Sequence, residues 1–230
     1  MIFKSLVFSQ ASGSTGGLVY SRNQGGMYVR SRAKPTNPNS EAQIAVRDAM
    51  REAVFAWSNT LTSTQRENWN TYAFNTPTWN RLGEATSKTG QQMFIRGAIP
   101  RIQAGFDMPL DAPVTFDLGN LTPPGAIVCD ESAQTISVPF TNTDEWCNID
   151  DGLLLVYQSR PQNPTRVYGK GPYQLFTAVV GIAMTPPVSP GTGTTIFPFS
   201  LGQKVFFKFN VSMPDGRLTM PTYATSIVTA

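Results

Sequence analysis

Leu18, Tyr20, Met27 and Val29 alternate with polar neighbours on either side of "NQGG", the period of two that a β-hairpin requires. The stretch before it, "SQASGSTGG", has no such period and reads as flexible. After it, Pro35 and Pro38 hold "KPTNPNS" extended, so the chain enters the next element as a stiff strap. From Ser40 the period lengthens. Val46, Met50, Ala53, Val54 and Trp57 recur along one helical face, and Ser40 with Gln43 has the form of a capping box. A second box, Thr62 with Gln65, opens "QRENWNTYAF", whose apolar side is Trp69, Tyr72 and Ala73. Two antiparallel helices joined by "NTLT" are predicted. "NTPTWNRLGEATSKTG" is a loop, and a third box, Thr89 with Gln92, precedes "QMFIRGAI", a helix that Pro100 bends or ends.

From "DMPLDAP" onward the helical period does not return. "TISVPF", "LLLVYQS", "YQLFTAVVGI", "TTIFPF", "KVFFKFNVS" and "RLTMPTYATSIV" read as strands separated by turn clusters, with Asp215-Gly216 as a tight hairpin turn. The spacing predicts an α+β chain in three parts: an extended arm with a β-hairpin (1–39), a helical segment (40–108) and an all-β immunoglobulin- or fibronectin-III-like sandwich (109–230). On this division the two larger parts are separable.

Composition narrows the chemistry. There is no histidine among the 230 residues, which removes imidazole bases, histidine-dependent nucleophiles and histidine metal sites. Cys129 and Cys147 match no redox or zinc spacing and read as buried free thiols. No enzyme, cofactor or metal is expected. The start, "MIFKSLVFSQASGS", is short of a secretory signal, and no apolar run approaches bilayer-spanning length, so synthesis in the cytoplasm and no membrane partner are expected. The net charge of +3 conceals a split: residues 1–110 hold 12 basic and 6 acidic side chains, and residues 111–230 hold 6 and 9. Opposite-signed ends suit head-to-tail association or an acidic partner.

The densest acidic run, "TDEWCNIDDG", lacks the ligand spacing of an EF-hand and is taken as a solvated turn. "GKGPYQ" and "SPGTGTT" are loops, because neither joins a strand to a helix as a phosphate loop does. The arm is different. Tyr20, Arg22, Tyr28, Arg30, Arg32 and Lys34 put planar cations beside aromatic rings, a set that serves carboxylates at protein interfaces or phosphates and stacked bases. With no nucleic-acid-reading helix alongside, the interface reading leads.

The order "SGSTGGLVYSRNQGGMYVRSRAKPTNPNSEAQIAVR", "LTSTQRENWNTYA", "RLGEATSKTGQQMFIR" resembles a group of proteins encoded by tailed bacteriophages and prophages, and "VYQSRPQNPTRVYGKGPYQL" and "MPDGRLTMP" are similar to sandwich domains that accompany it. The resemblance implies a virion structural role, as a decoration, fibre-base or accessory head or tail protein, with other virion proteins or lattice copies of itself as partners. It supplies no functional residues. The alternative is a host-carbohydrate adhesin using Trp146, Tyr168 and Tyr173. A DNA-contacting head protein comes third.

Overall fold

A turn at two glycines sets the first element. In the computed structural model, which describes residues 11–23, 26–79, 84–169 and 171–229, Gly16 has φ +58, a conformation that side chains avoid, and the chain reverses there. Gly13–Thr15 (β1) therefore pairs with Leu18–Asn23 (β2), Thr15 facing Leu18 and Gly13 facing Tyr20. The stretch read as flexible thus supplies a strand, although its first two residues, like residues 1–8 and Gln24-Gly25 of the "NQGG" turn, lie outside the described residues. Gly26–Ser31 (β3) completes an antiparallel sheet in the order β1-β2-β3, and the expected hairpin register is present: Asn23 faces Gly26 and Tyr20 faces Val29. This sheet belongs to one compact unit, Met1–Ser40, and Glu41–Ala230 form a second.

The second unit begins with Glu41–Phe55 (α1), which continues through a π-helical turn, Ala56–Thr60, where "NTLT" was read as a joint. Ser63–Asn75 (α2) follows, its capping box formed as predicted, with Thr62 Oγ1 accepting from Gln65 N–H and Gln65 Oε1 accepting from Thr62 N–H. The expected apolar side of α2, Trp69, Tyr72 and Ala73, is buried. That of α1 is not. Val46 and Met50 are 49% and 43% exposed, while Ala49 and Ala53 are buried. Small side chains let helices approach closely, so α1 turns its alanines inward and leaves its larger apolar groups outside. In the predicted loop, Thr78–Trp79 (β4) and Ala85–Thr86 (β5) pair, with residues 80–83 outside the described set. Gly90–Gln103 (α3) carries the third box, and it contains Pro100 rather than ending there.

The β region consists of Val128–Asp130 (β6), Thr135–Val138 (β7), Leu153–Ser159 (β8), Tyr173–Val180 (β9), Gly191–Thr194 (β10), Lys204–Ser212 (β11) and Thr222–Ile227 (β12). They make two antiparallel sheets, β10-β7-β6 and β12-β11-β8-β9. Side chains of both meet in one apolar core, with Ile136 and Val138 from the first and Leu154, Val156, Phe207 and Phe209 from the second. "TTIFPF" was expected as a strand and "SPGTGTT" as a loop; the strand is β10, within the glycine stretch. A Cβ at Gly193 would strike the Phe176 ring of β9, and one at Gly191 would crowd Val179, so that strand needs residues without side chains.

The described residues make an α+β structure, with three α-helices and four mostly antiparallel sheets. The sequence division at 108/109 falls inside the second unit. Every residue of β8 is buried because both its faces are covered: Leu154 and Val156 enter the shared core, while Leu153, Leu155 and Tyr157 pack with Ala104 and Phe106, just beyond α3. A close approach joins α3 to the β11–β12 hairpin, since Gly97 leaves no room for a Cβ beside Gly216 O and Arg96 Nη2 donates to Thr219 O at 3.1 Å.

Candidate interaction site

The cross-strand register sorts the six arm residues onto different faces. Side chains alternate along a strand, and directly paired residues share a face. Tyr20 and Arg22 therefore stand with their partners Val29 and Met27, beside Leu18. Tyr28 and Arg30 stand on the other face, opposite Ser21 and Val19. Arg32 follows the last pair, its N–H donating to Gly17 O at 2.8 Å, and Lys34 lies beyond the sheet. The structure does not gather the six into one patch. Arg22, Arg30, Arg32 and Lys34 are exposed, and Tyr20 and Tyr28 are half-buried.

Two properties of this unit stand out. None of its described residues is buried, so the described part of the sheet has no core of its own. Residues 1–40 also contain five basic side chains, Lys4, Arg22, Arg30, Arg32 and Lys34, and no acidic one, a charge of +5. Residues 41–230 hold 13 basic and 15 acidic side chains, −2. All the net positive charge of the chain is in the arm. The signal lies in the sequence itself, where no carboxylate precedes Glu41.

In the second unit, the acidic run is structural. Asp144 accepts from Thr122 N–H and Oγ1 at 3.1 and 2.6 Å, and Asp150 accepts from Ala183 N–H at 2.9 Å. Asp151 O accepts from Arg101 Nη1, and Glu145 pairs with Arg217 at 2.7 Å. Among the described residues no group of three potential metal ligands comes together. Arg217 was not singled out by the sequence reading, and its buried guanidinium also reaches Asp117 at 2.9 Å and Asp215 at 2.8 Å. Burial favours loss of its proton, but the bonds to Glu145, Asp117 and Asp215 outweigh that and raise its pKa above the ordinary arginine value.

The aromatic trio of the adhesin alternative does not form a surface cluster: Trp146 is fully buried, Tyr173 is half-buried against Tyr223, and only Tyr168 is exposed. Cys129 and Cys147 are buried free thiols, as expected. No helix among the described residues is long and apolar enough to cross a membrane. Compared with known proteins, the chain matches no family model, no curated protein and no solved structure.

Proposed function

We propose that this chain is a non-enzymatic structural subunit of a tailed-bacteriophage particle, held on a capsid or tail neighbour by its N-terminal arm. The observation that carries the reading is the charge of that arm, five cations and no carboxylate in residues 1–40. Such a segment contains no internal counter-charge for its guanidinium groups, and the planar fork of arginine binds carboxylates in bidentate fashion. An acidic protein surface would meet cations on both faces of the sheet, and strand addition to a neighbour would supply backbone hydrogen bonds. The resemblance of the arm and helices to phage proteins supplies the particle. The complete lack of histidine supports a binding role over a catalytic one.

Residues 109–230 fit the same reading as a fibronectin-III-like sandwich. Its support is the strand order: three antiparallel neighbours, β6, β7 and β10, face four, β9, β8, β11 and β12, across one core.

The test is charge reversal of Arg22, Arg30 and Arg32 to Glu in the full chain, followed by sedimentation with particles assembled without it. The wild-type chain should pellet with the particles and the variant should stay in the supernatant; equal pelleting would refute the docking role. Tight binding of the wild-type chain to double-stranded DNA, falling steeply with salt, would assign the cations to phosphates instead.

A further inference from the structure

A cleft in the second unit, with a volume of about 380 Å³, has walls from three separate stretches of chain. Thr76 and Trp79 come from the exit of α2, Phe116, Asp117 and Asn120 from the segment before β6, and Met220 from the approach to β12. Trp79 and Phe116 are each 49% exposed, so two aromatic rings keep half their surface uncovered at one concave place. Polar groups stand among them. Asp117 Oδ1 accepts from Gly119 N–H at 2.8 Å and from Arg217 Nη1 at 2.9 Å, which fixes the carboxylate and leaves Oδ2 free to accept. Asn120 is exposed and its amide has no bond to any described residue. Thr76 is 4% exposed, and its Oγ1 lies beside the Tyr72 hydroxyl, which donates to Asp117 O at 2.6 Å, so it stands behind the polar wall and not on it.

The chemistry of the walls selects the ligand. A carboxylate faces the cleft and, among the described residues, no cation lines it, which disfavours anions. Asp117 shares Arg217 with Glu145 and Asp215, so Oδ2 keeps the charge that makes it a strong acceptor for a hydroxyl donor. The rings and these polar groups together suit a neutral molecule with apolar faces for Trp79 and Phe116 and hydroxyls for Asp117 and Asn120. We infer that this cleft binds a neutral pyranoside sugar, one C–H face against Trp79 or Phe116 and its hydroxyls on the polar wall. Sites of roughly 300–1,000 Å³ hold small organic ligands, and this one suits one or two sugar rings. The inference uses no arm residue and does not rest on the docking reading. Nor does it use Trp146, Tyr168 or Tyr173.

The experiment titrates the full chain with the methyl glycosides of glucose, galactose, mannose and N-acetylglucosamine, following the Trp79 indole N–H by NMR. At least one glycoside should shift that signal saturably. Trp79→Ala, read by the backbone amides of Asn120 and Met220, should weaken binding about ten-fold or more. Asn120→Ala, at an exposed position that leaves β4 and β5 untouched, should weaken it several-fold without lowering Tm. No saturable shift with any of the four, or equal affinity in both variants, would overturn the assignment. So would glucuronate binding more tightly than glucose.

Discussion

Arg217 ties three distant stretches together, and its removal gives the sharpest test of how the second unit is held. Its side chain is 7% exposed, whereas those of Asp117, Glu145 and Asp215 are 54%, 47% and 35% exposed. A fully exposed ion pair contributes about 0–1 kcal/mol, and breaking a buried one costs about 3–5 kcal/mol. The buried partner here is the one being deleted, and water can reach the carboxylates left behind, so Arg217→Ala should cost an intermediate amount, about 2–3 kcal/mol. In a domain of this size 1 kcal/mol moves Tm by roughly 2–4 °C, so thermal unfolding at pH 7 should show a fall of roughly 4–12 °C. The pH dependence supplies a second readout. Burial pushes the Asp117 carboxyl up, but the bonds from Arg217 and from Gly119 N–H prevail and hold it below the ordinary carboxylate range. A depressed carboxylate contributes stability above its unfolded pKa of about 3.9 and loses it as pH falls through the folded value. The gap between wild type and variant should therefore narrow from pH 7 toward pH 3. A Tm change under about 2 °C at pH 7, or a gap that widens in acid, would refute the reasoning.

Two further outcomes follow from packing. Gly97→Ala raises helix propensity by about 1 kcal/mol, but the added methyl meets Gly216 O, and such overpacking costs about 1–3 kcal/mol, so the urea midpoint should fall; a higher midpoint would show the contact to be loose. Burial, followed by the nearby Asp144, pushes the Cys147 thiol up to about 11, and burial raises Cys129 against a bond from Ser226. A thiol reagent at pH 8 should therefore label neither until the protein is denatured, and rapid labelling of the native chain would contradict the burial.

Local signals translated well from sequence to fold. The boxes at Thr62 and Thr89 are short-range chemistry that the backbone completes within four residues, and both formed. β8 and β11 were legible because short apolar runs bounded by turn residues, rich in leucine in β8 and in valine and phenylalanine in β11, have few other destinations. Features decided by distant partners were harder to read. Whether Met50 or Ala49 of α1 faces inward depends on how near α3 comes, and a period of 3.6 with apolar groups on two sides does not decide it. The glycine strand β10 is set by Phe176 and Val179 above it, 17 and 12 residues earlier than Gly193 and Gly191 respectively, and its two glycines hide the strand preference of Thr192 and Thr194. The cleft was invisible for the same reason. Thr76, Phe116 and Met220 are separated by long stretches of chain and meet only when the segment before β6 is fastened to α2 by Trp69 Nε1 donating to Leu110 O and Tyr72 OH to Asp117 O.

The placement of charge has a consequence for handling the protein. A single proteolytic cut after Ser40 would separate a fragment of +5 from a body of −2, so a chain that is a net cation at neutral pH would leave a net anion, the unit Glu41–Ala230. The intact chain would be retained on a cation exchanger and the clipped body would pass through it. Column behaviour alone then reports whether the arm is still attached.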